Sequence, residues 1–157
     1  MTKRDQASRI ADAIVDLVER VDGPVTLARI DREIPGFAKQ ETPSWEYVIE
    51  HDGGETLIWC GMTEAGLEAL RKVMSGRRVA VQSLVSLLPY LLQGGYPQCD
   101  SWMPVVLLPV RTANLDTPNW RMRGSQQFLD HCMRTAARGY RLLTPSAVRG
   151  TADRFAV

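Results

Sequence analysis

A chain of 157 residues with 45% hydrophobic and 24% charged side chains has the composition of a globular protein able to bury its own core. Its longest apolar run, Leu84 to Leu92, is broken by Pro89 and falls short of the roughly 18 residues that a membrane span needs, so no membrane partner is expected. The formal net charge is +1, but residues 1–70 hold 7 basic against 14 acidic side chains, residues 71–110 hold 4 against 1, and residues 111–157 hold 8, all arginine, against 3.

That imbalance has two readings. Acidic and basic parts face one another, within the chain or across a homodimer, or the arginine-rich end meets an acidic partner such as nucleic acid. Met1-Thr2-Lys3-Arg4-Asp5 lacks the apolar stretch of a signal peptide. Cys60, Cys99 and Cys132 show no paired spacing and are expected as reduced thiols, so a cytoplasmic location is expected.

The first predicted helix runs from about Gln6 to Val21, with Ile10, Ile14, Leu17, Val18 and Val21 on a buried face and Asp5, Asp12, Asp16 and Glu19 opposite. Gly23-Pro24 ends it. Pro24-Val25-Thr26 reads as extended, and Thr26 is placed to cap a short helix, Leu27 to Ile34, stopped by Pro35-Gly36. Phe37 is expected in the core, followed by a polar loop from Ala38 to Ser44.

Two strand-like runs follow, Trp45 to Glu50 and Glu55 to Cys60, joined by His51-Asp52-Gly53-Gly54, whose glycines suit a hairpin turn. Simple alternation puts Trp45, Tyr47 and Ile49 on one face of the first run. In the second it puts Leu57 and Trp59 on one side and Thr56, Ile58 and Cys60 on the other. Thr63 then caps a helix with Leu67, Leu70 and Met74 on one stripe, ended by Ser75-Gly76.

The order helix, short strand, helix, loop, hairpin, helix, over residues of about 8–75, resembles the winged-helix domain of bacterial transcription regulators. Val25-Thr26-Leu27-Ala28-Arg29-Ile30 looks like the start of the first helix of a helix-turn-helix. Met62-Thr63-Glu64-Ala65-Gly66-Leu67 is similar to the Leu-Thr-Glu-x-Gly stretch that follows the wing in many such regulators. The resemblance implies a DNA-binding or dimerising module. One departure stands out: only seven residues, Ala38 to Ser44, separate Phe37 from Trp45, so the recognition helix is absent or reduced to a turn.

Beyond Gly76, Arg77 to Gln82 reads as a short strand or connector. Ser83 to Gln93 is densely apolar and is expected as a buried helix kinked or split at Pro89, with a dimerisation helix as the alternative. Gly94-Gly95-Tyr96-Pro97 is expected as a loop. Met103 to Val110 reads as a buried or edge strand, Arg111 to Asn119 as a loop and Asn119 to Arg123 as a possible strand. Ser125 is expected to cap a helix ending at Arg138, with Phe128, Leu129, Cys132, Met133 and Ala136 on its apolar face. Tyr140 to Thr144 reads as a final strand and Pro145 to Val157 as a basic, poorly ordered tail.

The fold expected is therefore α+β: an N-terminal winged-helix-like unit, residues 1–76, and a C-terminal α/β extension, residues 77–157, carrying the arginine-rich helix 125–138. Catalytic residues, metal ligands and cofactors are not expected. The two histidines, His51 and His131, lack ligand spacing, since His131 and Cys132 are neighbours on a helix and point about 100° apart. A nucleophile pair of Cys60 or Cys99 with His51 would need a proximity that sequence does not reveal.

The candidate nucleic-acid surface is the stripe Gln127, His131, Arg134 and Arg138, supported by Arg121, Arg123 and Arg141, because Gln and Arg fork onto base edges and phosphates. An ordinary solvated helix face is the plain alternative. The candidate partner-binding surface for a second protein comprises Asp12, Asp16 and Glu19 with Trp45 and Tyr47, aromatics being common interface anchors. The function expected is that of a small non-enzymatic protein, nucleic-acid-binding or transcription-regulatory. The alternative is a protein-interaction module, an inhibitor or adaptor of the kind encoded on mobile elements.

Overall fold

In a computed structural model of the chain, the residues described are 2–21, 23–39, 41, 44–51, 54–76, 78–110, 123–134, 140–142 and 155–156, without the side chains of 51, 123–125, 132–134, 140–142 and 155–156. The fold is α+β, with helices set against two three-stranded antiparallel sheets and a small two-stranded one.

Helix α1, Lys3–Arg20, starts earlier than its apolar stripe suggests because Thr2 and Asp5 form a capping box. It stops at Val21, which is extended, before Gly23 turns the chain at φ +124°. Ile10, Ile14, Leu17 and Val18 are buried. Strand β1, Val25–Thr26, leads into α2, Leu27–Glu33, where the Thr26 hydroxyl accepts from the Arg29 amide at 3.1 Å. Leu27, Ile30, Ile34 and Phe37 are buried as expected. The described residues between α2 and the hairpin form a turn and a bridge from Ala38 to Met62, and no helix.

The hairpin is β2, Trp45–His51, with β3, Gly54–Met62. Alternation fails inside it. Tyr47 pairs with Trp59 but Val48 with Leu57, so Ile58 is the extra residue of a bulge. Leu57 and Cys60 therefore join Val48 in a small cluster on one side, while Ile58 and Trp59 both join the main core. The sidedness read from strict alternation is thus corrected: Leu57 and Trp59 do not share a face. Helix α3, Glu64–Ser75, begins where the Thr63 hydroxyl accepts from Gly66 at 2.9 Å, and it buries Leu67, Leu70 and Met74.

Helices α1 and α3 lie side by side and parallel. Their ties run in step: Lys3 to Glu64 at 2.9 Å, Lys72 to Ser8 at 3.1 Å, Arg78 to Asp12 at 2.8 Å. Beneath them β4, Val79–Ser83, and β6, Val105–Pro109, form a sheet in the order β1-β6-β4. The run expected as a buried or edge strand is the buried middle strand of that sheet. One core holds Ile14, Leu70 and Tyr47 together with Val81 and Val105 to Leu107, so residues on both sides of position 76 share it.

Between β4 and β6 the outcome departs from expectation. Only Leu88–Gln93 is helical, as the six-residue α4 with Pro89 in its first turn, and it is not a buried helix. Leu84 and Tyr90 are buried, whereas Val85, Leu88, Leu91 and Leu92 are exposed. Proline forces a new start, and a helix this short turns one large side chain inward.

Gly94-Gly95, at φ +137° and +102°, leads to β5, Tyr96–Pro97, rather than to a plain loop. In the C-terminal part, α5 spans Arg123–Arg134, so Ser125 lies inside the helix rather than capping it, and Arg123 is helical rather than extended. Strand β7, Tyr140–Leu142, pairs antiparallel with β2. Strand β8, Phe155–Ala156, pairs antiparallel with β5, so this part of the expected tail has a place in the fold. Residues 111–122, 135–139 and 143–154 lie outside the described residues, and with them the whole of the expected 111–119 loop and the end of the 125–138 helix.

Candidate functional site

Helix α5 is anchored by one side chain more than by its apolar stripe. Gln126 lies against the outer edge of β4, where its Oε1 accepts from the Ser83 amide at 2.8 Å and its Nε2 donates to the Val81 carbonyl at 3.4 Å. An amide side chain here takes the place of a neighbouring strand. Leu129 is fully buried beside it and Phe128 partly so. This orientation turns Gln127, Asp130 and His131 to solvent, as the helical spacing of the proposed stripe requires for Gln127 and His131. Asp130, which accepts from Gln126 at 2.8 Å, places a carboxylate on that face. Arg123 and Arg134 lie in α5 and Arg141 in β7, opposite Val48, with side chains outside the description, and Arg121 and Arg138 fall outside the described residues.

The acidic face of α1 is solvent-facing at Asp12, Asp16 and Glu19. Asp12 is bound to Arg78, so part of the acidic excess is answered within the chain by the basic segment that follows α3. Trp45 is half-buried. Tyr47 is corrected as a docking residue: it is 1% exposed, paired with Trp59 inside the core, and presents nothing to a partner.

The least expected surface is that of α4. Val85, Leu88, Leu91 and Leu92 are 53%, 56%, 47% and 73% exposed. The helix is held from beneath. The Tyr90 hydroxyl, fully buried, donates to the Val105 carbonyl at 2.6 Å and accepts from the Leu27 amide at 3.3 Å. Burial pushes its ionisation far above the usual phenol range, against the smaller opposing effect of these two backbone bonds. Gln93 accepts through Oε1 from both the amide and the hydroxyl of Thr26, at 2.9 Å each, and donates to the Pro24 carbonyl at 3.0 Å. It closes the outer edge of β1 as Gln126 closes that of β4.

Beside Val85 opens a groove of about 580 Å³ lined by Tyr96, Pro97, Cys99, Asp100, Trp102 and Pro104 among others. Its aromatic wall continues into the core. Trp59 and Tyr90 have ring centroids 5.9 Å apart, Tyr90 and Trp102 meet edge to face at 4.9 Å, and Trp102 and Tyr96 stack at 5.4 Å and 5°. The Trp102 indole N–H donates to the Ile58 carbonyl at 3.2 Å, and that of Trp59 to Asp31 at 3.1 Å, so these two rings are fixed in place. Cys99, which lines the groove, lies 3.1 Å from Ser101, Sγ to Oγ.

Sequence reading took the leucines of α4 for part of a buried helix, with a dimerisation helix as the alternative. The available signal was Pro89, which leaves too little helix to hide four large side chains. Among the described residues no group of three or more His, Cys, Asp or Glu could hold a metal ion, and no helix is long and apolar enough to cross a membrane. Compared with protein families, curated proteins and solved structures, the chain matches none.

Proposed function

We propose that this is a non-enzymatic binding protein whose task is to dock another protein chain, with the α4 face and the adjoining aromatic groove as the docking surface. The supporting observation is the set Leu88, Leu91 and Leu92, each about half exposed or more on a helix whose base is tied to both β1 and β6, with the exposed Val85 in the segment that leads into it. Apolar side chains gathered on a rigid base mark interaction sites more often than scattered ones do. The resemblance of residues 8–75 to winged-helix modules suits this role as well as DNA binding, because a fold does not choose its partner.

Placing a photoreactive residue at Leu92 is expected to trap discrete protein adducts in the source cell, and Leu88→Asp is expected to abolish them. Charge reversal at Asp12, Asp16 and Glu19 then reports whether the acidic face of α1 takes part.

The second reading, nucleic-acid binding through α5, is favoured by the solvent-facing Gln127 and His131. It requires duplex affinity that falls steeply with salt and that is lost with Arg134→Ala plus Arg138→Ala. Fluorescence anisotropy with a mixed-sequence duplex at two salt concentrations separates the two. Steep salt dependence without adducts at position 92 would replace protein docking with nucleic-acid binding.

A further inference from the structure

We infer that the groove beside β5 receives a partner segment in extended conformation, carrying a large apolar side chain next to a basic one, and that the chain's own C-terminal strand holds the place until such a segment displaces it. This inference rests on the protein-docking reading above and names its ligand.

The first support is how the sheet edges among the described residues are covered. Strand addition needs open amides and carbonyls along an edge. In the sheet β1-β6-β4 one outer edge is closed by Gln93 and the other by Gln126. The outer edge of β3 is closed as well. Leu57 donates to the Ser101 carbonyl at 2.9 Å and accepts from Met103 at 2.9 Å, Ile58 accepts from the Trp102 indole, and Gly61 accepts from the Lys39 amide at 2.8 Å. Strand β5 differs from these. Its partner is a strand of two residues from the far end of the chain, with Tyr96 in register with Ala156 and Pro97 with Phe155.

The second support is that this pairing is built to be weak. It is two residues long, and Pro97 has no N–H to give. A two-stranded ribbon of that length has little stability of its own. Yet Tyr96 and Pro97, the residues that pair with β8, also line the groove, so an incoming strand would meet the fixed Tyr96–Trp102 stack at once. A preorganised aromatic wall lowers the cost of binding.

The third support is charge. Asp100 is exposed and lines the groove, and no Lys, Arg or His lines it among the described residues. A ligand carrying a positive charge is complementary to it. The sequence offers the same chemistry at β8, where Arg154 precedes the strand Phe155–Ala156. An extended partner with the same pairing of a basic and a large apolar side chain would compete for the backbone of β5.

The probe is a fluorescein-labelled peptide of sequence Ala-Asp-Arg-Phe-Ala-Val, titrated into the full chain and followed by anisotropy. Phe155→Ser in the full chain is expected to raise its affinity about tenfold, which is about 1.4 kcal/mol, because the resident strand competes less well. Ala156→Pro, which perturbs β8 through its backbone, is expected to act in the same direction. Adding Asp100→Lys to Phe155→Ser is expected to reverse the gain, and so is exchanging the arginine of the peptide for glutamate.

Equal affinity for wild type and both strand variants, or no saturable binding to any of them, would overturn the inference. So would a wild-type chain that sediments as a dimer and a Phe155→Ser chain that sediments as a monomer, since β8 would then be exchanged between copies. Failure of the peptide with adducts still forming at Leu92 would remove the groove and leave docking through the α4 face. Peptide binding without adducts would retain the groove and remove the leucine face.

Discussion

The α1–α3 side and the α4 side are built from the same kinds of residue and end in opposite states. On the first, an 18-residue helix and a 12-residue helix run parallel, bury their leucines and isoleucines, and leave ion pairs outside. On the second, a six-residue helix buries Tyr90 and leaves three leucines in water. Length makes the difference. A helix of several turns can align a continuous stripe with its neighbour, whereas a single turn and a half, restarted at a proline, has no stripe to align. Apolar content is therefore a poor guide to burial unless the element is long enough to sort its faces.

The largest expected effect lies on the buried side. Leu17→Ala in α1 should cost about 3 kcal/mol in urea unfolding, since the side chain is fully enclosed and leaves a cavity. A change below about 1 kcal/mol would mean that the helix pair is looser than its burial implies. Gly66→Ala comes next, at about 2 kcal/mol, because a Cβ there would overlap the Phe37 carbonyl, a backbone atom that cannot swing aside. The same unfolding series checks it.

On the other side, Gln93→Leu should cost about 1 kcal/mol and speed exchange of the Thr26 amide, which loses its acceptor. Hydrogen exchange at Thr26 no faster than in wild type would deny the clamp its role. Smaller still is the effect of acid on the start of α1. The hydroxyl and then the amide of Thr2 hold the Asp5 carboxyl below its ordinary range. Its folded pKa is the lower one, so this stabilisation is complete above the unfolded value and disappears as pH falls through the folded value. Asp5→Asn should flatten the acid limb of helix stability, measured by circular dichroism against pH. At the end of the scale, Leu92→Ser should leave stability within about 0.5 kcal/mol of wild type while removing the adducts. A large loss of stability there would show the α4 face to be core.

What the sequence made legible follows the same division. Local signals were sufficient for the caps at Thr26 and Thr63, for the buried face of α1, and for the existence of the hairpin, because each depends on residues a few positions apart. The sheet β1-β6-β4 was not legible, since Val25 pairs with Leu107 and no short-range pattern carries that distance. Nor was the bulge at Ile58, which adds one residue without changing composition and separates Leu57 from Trp59, which alternation puts on one side. At the candidate site, the solvent-facing Gln127 and His131 were readable from helical spacing. Tyr47 was not, because β2 is buried between two clusters drawn from distant parts of the chain on either side of it in sequence. Gln93 and Gln126 carried no signal at all. Their importance comes from meeting backbone groups 67 and 43 positions away.

Those two glutamines also bear on how the protein ages. Each amide offers an oxygen to one backbone N–H and a nitrogen to one carbonyl, the two-way match of a strand. Hydrolysis to glutamate keeps the oxygen and replaces the nitrogen with a second oxygen, set against the Pro24 or Val81 carbonyl. Attraction becomes repulsion without any change to the chain's path, and a long-stored solution acquires molecules with an uncovered edge open to their neighbours. Peptide mapping of a sample that has turned turbid should find the conversion at Gln93 or Gln126 enriched in the precipitate over the supernatant.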